Sequence, residues 1–233
     1  MSSSSSTECP ACGAPRTLLR LDGGCFRVCP GCGMIVKDPS IHPDAAAERR
    51  RHEMHSPVAD EGFLRILEGF LAENVDPYVK PGTALDYGCG RTGALLGLLE
   101  KRGYEAVGYD PLFFPDPAPL LRRYGLVTAT EVVEHFRDPF AEWEKMASLP
   151  APGGVLAVST RMVPADFERW WYRRDETHLC FYTPVALALL GRRFGLSVLA
   201  TDARAAIVFR RDRLVRADPF FMRFRGENRK TLT

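Results

Sequence analysis

Two stretches of this chain carry residues spaced for chemistry. The first is a doubled cysteine knuckle, "CPACG" from Cys9 to Gly13 and "CPGCG" from Cys29 to Gly33, together C-x2-C-x16-C-x2-C. Each pair lets two thiolates face one ion across a tight turn, and the glycine after it suits a left-handed backbone. Four sulfurs, Cys9, Cys12, Cys29 and Cys32, make a closed tetrahedral set, which suits structural rather than catalytic Zn2+. A segment of about 25 residues buries too little apolar surface to fold alone, so the metal must supply folding energy. The second stretch, "ALDYGCGRTGALL", contains Gly88, Gly90 and Gly93 in the spacing G-x-G-x-x-G, with Asp86 two residues ahead.

That aspartate bears on what the glycine loop holds. A pyrophosphate would set two negative charges beside a carboxylate in a low-dielectric cleft, which is unfavourable. S-adenosylmethionine carries a sulfonium and an ammonium and no phosphate, so the same carboxylate attracts it. Asp110, 17 residues beyond Gly93 at the end of the next strand, is placed to accept the ribose hydroxyls, a role shared by NAD and S-adenosylmethionine sites.

The elements that must position these residues alternate. Strand "TALDYG" precedes helix "TGALLGLLEKRG" and strand "EAVGYD"; strand "GLVTATE", helix "DPFAEWEKMASL", a turn "PAPGG", strand "VLAVST" and helix "TPVALALLGRRFG" follow. The texture predicts an α/β, Rossmann-like, mainly parallel sheet with helices on both faces. "LSVLAT" and "AAIVFRR" are close enough to close it as an antiparallel edge hairpin. Upstream, Asp44 and Asp60 are expected to cap a polar helix and an amphipathic one, the second burying Phe63, Ile66, Leu67, Phe70 and Leu71. The expected organisation is a disordered tail (1–8), a zinc ribbon (9–38), a linker with N-terminal helices (39–80), a cofactor-binding domain (81–215) with a lid near 161–182, and a C-terminal tail (216–233).

Composition is that of an ordinary soluble globular chain, 45% hydrophobic and 26% charged over 233 residues. No apolar run approaches the ~20 residues of a membrane span, and "MSSSSSTE" has neither part of a secretion signal, so the cytoplasm is the expected location and no membrane contact is expected. From Ala151 onward 15 Lys/Arg stand against 8 Asp/Glu, which raises nucleic acid as a partner; dispersed arginines on solvated faces are the favoured account. Cys25, Cys29 and Cys32 also spell C-x3-C-x2-C, the spacing of radical iron–sulfur enzymes, but that reading leaves Cys9 and Cys12 unexplained.

In order along the chain, "ALDYGCG", "GYDP", "TEVVEHFRDP", "PGGVLAVST" and "DETHLCFYTPVAL" resemble the class I S-adenosylmethionine-dependent methyltransferases, in particular the branch with E-V-x-E-H-x-x-D-P. The likeness covers about Pro81 to Arg210, and the cysteine module is similar to zinc ribbons found in nucleic-acid enzymes and some small-molecule methyltransferases. The resemblance implies that Asp86, Gly88 and Gly90 line the methionine and ribose side of the cofactor, that Asp110 holds the ribose, and that Thr130 and Glu131 lie beside it. Between Asp110 and "GLVTATE" the chain departs from the family: a helix and a third strand are replaced by a short Pro-rich segment, so adenine is left to Leu112, Phe113 or Phe114.

Methyl transfer is an in-line displacement in which alignment supplies much of the rate, and a base is needed only where the acceptor must lose a proton. His178 is the first candidate base, Tyr182 a positioner and His135 an orienting group; "RWWYRRDETH" reads as a lid whose Trp170 and Trp171 could stack on a planar or sugar-like acceptor. A packed cap with a satisfied histidine is the competing reading. The expected activity is methyl transfer to a small molecule. A polymer-docking RNA or protein methyltransferase and a non-catalytic cofactor-binding module are the alternatives.

Overall fold

The computed structural model describes residues 8–22, 24–55 and 60–213, with the backbone alone for His55. Of the expected tails, 1–8 and 216–233, only Glu8 lies within the described residues, where it forms an antiparallel bridge with Pro15.

Three antiparallel strands follow the first knuckle: β1 (Thr17–Leu21), β2 (Gly24–Val28) and β3 (Ile35–Lys37). Helices α1 (Ala45–His55) and α2 (Glu61–Asn74) come next, the latter capped where the Asp60 carboxylate accepts from Phe63 N. On α2, Leu67, Phe70 and Leu71 are buried, whereas Ile66, at the rim of the apolar stripe, is 70% exposed. That corrects its expected place in the core: helical rotation carries it past the narrow face that the sheet covers.

The main sheet runs in the order β5-β4-β6-β7-β10-β9. Strands β4 (Thr83–Tyr87), β5 (Glu105–Tyr109), β6 (Tyr124–Thr130) and β7 (Pro150–Ser159) are parallel. Strands β9 (Leu196–Thr201) and β10 (Ala206–Arg211) form the antiparallel edge hairpin, with β10 against β7. Beyond β5, residues 111–123 make turns and a 3-10 turn at Ala118–Leu121, so β5 stays an edge among the described residues. The "PAPGG" segment lies inside β7 rather than before it, its register against β6 jumping from Pro150 to Val155.

Alternation along the strands builds two cores, one on each face. Ala84, Leu126, Val155, Ala157 and Val208 pack with α2 and with α3 (Ala94–Lys101). Their sequence neighbours Leu85, Val127, Leu156, Val158 and Phe209 pack on the other face with α4 (Pro139–Ala147) and α5 (Pro184–Arg193). Each large side chain fully buried there contributes ~1.5–3 kcal/mol.

The cysteine module does not stand apart. Cys9, Cys29, Cys32, Met34 and Val36 belong to the α4/α5 core. Strand β8 (Cys180–Phe181), from the region expected as the lid, pairs with β3 and makes the ribbon sheet four-stranded. Phe26 and Ile35 of the ribbon share a satellite core with Phe167, Tyr172 and Phe181.

Candidate active site

Between β4 and α3 the backbone turns left-handed at Gly88 (φ 78°) and Gly90 (φ 64°). A Cβ at Gly88 would overlap the Val132 side chain, so the loop after β4 lies directly on the segment after β6. The Asp110 carboxylate ties this loop to the turn after β5. Its Oδ2 accepts from Gly90 N at 3.0 Å, and its Oδ1 accepts from Leu112 N at 2.8 Å and Phe113 N at 3.1 Å.

Asp86, 2% exposed, lies beneath the loop with Oδ1 accepting from the Thr128 hydroxyl at 2.9 Å. Burial pushes its pKa up to about 7, against the pull of the Thr128 hydrogen bond. A carboxylate held at that threshold gains most from a cation placed beside it. The two aspartates are thus unlike: Asp110 is engaged in shaping the loop, and Asp86 has only the hydroxyl bond to offset its burial.

At the end of β6, Thr130 leads to Glu131, which takes φ 53°. A left-handed non-glycine residue costs of the order of 1 kcal/mol or more and marks a constrained place. Glu131 N donates to Ser159 O at 2.9 Å. Although the residue as a whole is exposed, its carboxylate turns inward, accepting from Ser159 Oγ at 3.3 Å and Tyr172 Oη at 3.2 Å. The same tyrosine hydroxyl, with one proton shared between the two carboxylates, also lies against Glu134 Oε1. Glu134 is fully buried, and its Oε2, like the Thr160 hydroxyl, has no hydrogen-bond partner among the described residues. Burial raises both glutamates' pKa values, and for Glu131 the neighbouring Glu134 charge adds to it.

Three imidazoles pack in a row here. His52 of α1 lies 4.7 Å from His135, and His135 lies 4.9 Å from His178, centroid to centroid. Tyr172 covers the far side of His178 at 3.9 Å. His135 Nδ1 sits 2.9 Å from Thr177 O, and His178 Nδ1 2.9 Å from Tyr172 O. A carbonyl only accepts, so both Nδ1 atoms carry the proton and each neutral ring keeps its lone pair on Nε2. Burial lowers both pKa values, that of His178 to about 4, so His178 is neutral at pH 7 and a weak base. The row is braced from outside: Arg51 holds Asp175 at 2.6 Å, and Lys37 donates to Asp175 O.

Tyr182 is not at a ligand surface. It is fully buried, donates to Val133 O at 2.9 Å and receives Trp143 Nε1 at 3.3 Å. Its link to the site runs through Val133, next to Glu134; the "F-Y-T-P" run reads as a site motif in one dimension but points inward in three. Trp170 packs on Phe167 and Tyr172, whereas Trp171 is 62% exposed under Arg161. Glu134, which the sequence offers with Glu131 as either a cofactor contact or a plain helix-start residue, faces Tyr172 instead. Tyr172 itself carries no sequence signal beyond being one aromatic in a run of three.

The four knuckle sulfurs converge. Cys9 and Cys32 Sγ lie 3.5 Å apart, Cys12 and Cys29 Sγ 3.3 Å apart, and all four lie within 4.8 Å of one another. Tetrahedral zinc, with Zn–S ≈ 2.3 Å, sets sulfurs about 3.8 Å apart, so the set fits that ion. The two knuckles repeat one hydrogen-bond pattern, Cys9 N to Ala14 O and Gly13 N to Cys9 O, then Cys29 N to Met34 O and Gly33 N to Cys29 O. Cys25 lies on β2, outside the cluster, which disfavours the iron–sulfur spacing.

Comparison with known proteins places this geometry. A family model described as a methyltransferase domain matches residues 52–201, so the likeness begins within α1, upstream of the motif region. No curated protein sequence matches the chain. Among solved structures it is similar to 1,6-didemethyltoxoflavin-N1-methyltransferase of Burkholderia thailandensis, which holds 1,6-didemethyltoxoflavin and S-adenosylhomocysteine (15% identity, 84% of this chain and 99% of that one, TM-score 0.50). It is similar also to magnesium protoporphyrin IX methyltransferase of Synechocystis PCC 6803 with bound S-adenosylhomocysteine (15% identity, 72% and 95%, TM-score 0.50). A third is mitomycin 7-O-methyltransferase (16% identity, 72% and 61%, TM-score 0.51). At these identities the likeness is one of fold.

Proposed function

This chain belongs to the methyltransferase-domain family, and from that premise we propose that it moves a methyl group from S-adenosylmethionine to a small-molecule acceptor. The observation that carries the cofactor is the buried Asp86 carboxylate under a glycine loop that Asp110 holds open. Asp86, Gly88, Gly90 and Asp110 take the methionine and ribose side, with Thr130 and Glu131 alongside. The free lone pairs of the Asp110 oxygens remain for the ribose hydroxyls. When bound, the cofactor supplies an electrophilic methyl on a sulfonium. The chain's part is to neutralise that charge, orient the methyl and exclude water.

The small-molecule reading is supported by what the arginines do. Arg173 donates to Asp22 O and Glu168 O, Arg193 to Pro10 O, Arg210 to Tyr78 O and Arg211 to Ala147 O. Guanidinium groups spent on backbone carbonyls are not available to a phosphate chain. Exposed Trp171 is the stacking surface offered to a planar acceptor. With its pKa near 4, His178 serves better as a neutral wall of the acceptor pocket than as a base.

Cys9, Cys12, Cys29 and Cys32 hold structural Zn2+. The Cys32 thiol beside it lowers the Cys9 pKa while Cys32 rises in turn, as expected of sulfurs crowded onto one point. Thiolate ligands need a reducing compartment, which fits the cytoplasm. Among the described residues no helix is long and apolar enough to cross a membrane.

The test is calorimetry of the purified protein with S-adenosylmethionine, S-adenosylhomocysteine and NADH. Saturable binding of the first two and none of NADH supports the reading; the reverse order of affinities refutes it.

A further inference from the structure

We propose that Glu134, His135 and His178 form a second metal site, separate from the cysteine cluster, that takes one divalent first-row transition cation. Each of the three offers a ligand atom within 4.8 Å of the other two. Bonds of ~2.0–2.2 Å to one ion set ligand atoms about 3.0–3.4 Å apart, so these must close in by up to about 1.5 Å, a movement that side-chain rotation can supply.

Three independent features mark the cluster as more than packed polar residues. First, Glu134 Oε2 is a fully buried carboxylate oxygen with no hydrogen-bond partner among the described residues, a costly arrangement that a cation relieves. Second, both imidazoles donate Nδ1–H to a backbone carbonyl, which fixes the tautomer and leaves Nε2 as the ligating atom. Metal-binding histidines are oriented in that manner by their outer partners. Third, Glu131 and Tyr172 bring a second carboxylate and its shared hydroxyl to the same place, so the cation-free cluster holds two carboxylates bridged by one hydroxyl.

Two imidazoles and a carboxylate suit a borderline cation such as Co2+, Mn2+ or Fe2+ and leave coordination positions open. The thiolates of the ribbon are the softer set and hold zinc the more tightly, so cobalt offered to the zinc-loaded chain is directed to the imidazole–carboxylate set. An ion with open positions next to the segment that follows β6 would grip an acceptor oxygen and lower its pKa.

The experiment uses the full chain with its cysteine site loaded with zinc, dialysed against Co2+. Metal content and visible absorption are then read. We expect one zinc and one cobalt per chain, the cobalt with nitrogen and oxygen ligands and no thiolate charge-transfer band. Glu134→Gln and His178→Gln should each weaken Co2+ binding by at least about tenfold while zinc stays at one per chain. Cobalt that appears only by displacing zinc, with thiolate bands, overturns the proposal. So does wild-type protein retaining no cobalt, a result that needs no variant to fold. Cofactor binding is measured separately, so loss of S-adenosylmethionine affinity with cobalt retained would strike the proposed function and spare the metal site.

Discussion

The Thr183 hydroxyl donates to Cys32 O at 2.6 Å and accepts from Ala186 N at 3.0 Å, so one side chain caps α5 and anchors the second cysteine knuckle. Gly33 closes on the same threonine: a Cβ there would meet Thr183 Cγ2 at 2.9 Å. With β8 also paired to β3, the ribbon sheet is built partly from the segment that follows His178.

Chelation of zinc should therefore lower the melting temperature of the whole chain in one transition. Cys12→Ser should do the same, by an expected ~5 °C or more, read by circular dichroism with and without chelator. A main transition that stays in place while the ribbon alone melts would show the two to be independent.

Asp86 sets a pH dependence for cofactor binding. With its folded pKa raised to about 7 against an ordinary value near 4, the free folded protein holds the proton below that pH, and its stability falls as pH rises from about 4 to about 7. A cationic ligand favours the ionised form, so S-adenosylmethionine affinity should climb up to about tenfold per pH unit below pH 7 and flatten above it. Asp86→Asn should flatten the curve throughout and weaken binding at pH 8. Calorimetry from pH 5.5 to 8.5 decides; an unchanged slope in the variant removes Asp86 from the site.

For Asp110 the loss is of architecture as well as contact. Asp110→Ala frees Gly90 N, Leu112 N and Phe113 N together. Affinity for S-adenosylhomocysteine should drop at least tenfold, about 1.4 kcal/mol or more. Asp110→Asn, keeping an acceptor oxygen, should fall between. Equal binding by all three proteins would place the ribose elsewhere.

Tyr182→Phe should behave as a core substitution. It leaves Val133 O without the hydroxyl and Trp143 Nε1 without its acceptor, at a cost of about 1–2 kcal/mol. We expect a melting temperature lower by ~2–6 °C with the S-adenosylhomocysteine dissociation constant within twofold of wild type. A variant as stable as wild type but unable to bind would return Tyr182 to the binding surface.

Local rules made much of this molecule readable in one dimension. The doubled C-x2-C-G needs only a tight turn and two thiols, interactions spanning five residues, so the four cysteines whose sulfurs converge are legible in the sequence. Strand–helix alternation and Asp, Thr and Asn-type caps are likewise short-range, and Asp60, Asp138 and Thr183 cap their helices as such residues do. What only the tertiary structure decided depends on contacts between distant segments. Position along the chain does not say that β8 extends the ribbon sheet, that Tyr182 faces the core, or that Ile66 misses it. Nor does it say that His52, His135 and His178 line up beside a buried Glu134, because that row forms only when α1, the turn after β6 and the segment before β8 are packed together. Burial, which sets the charge state of every one of those groups, is a property of the packed molecule and not of any residue in it.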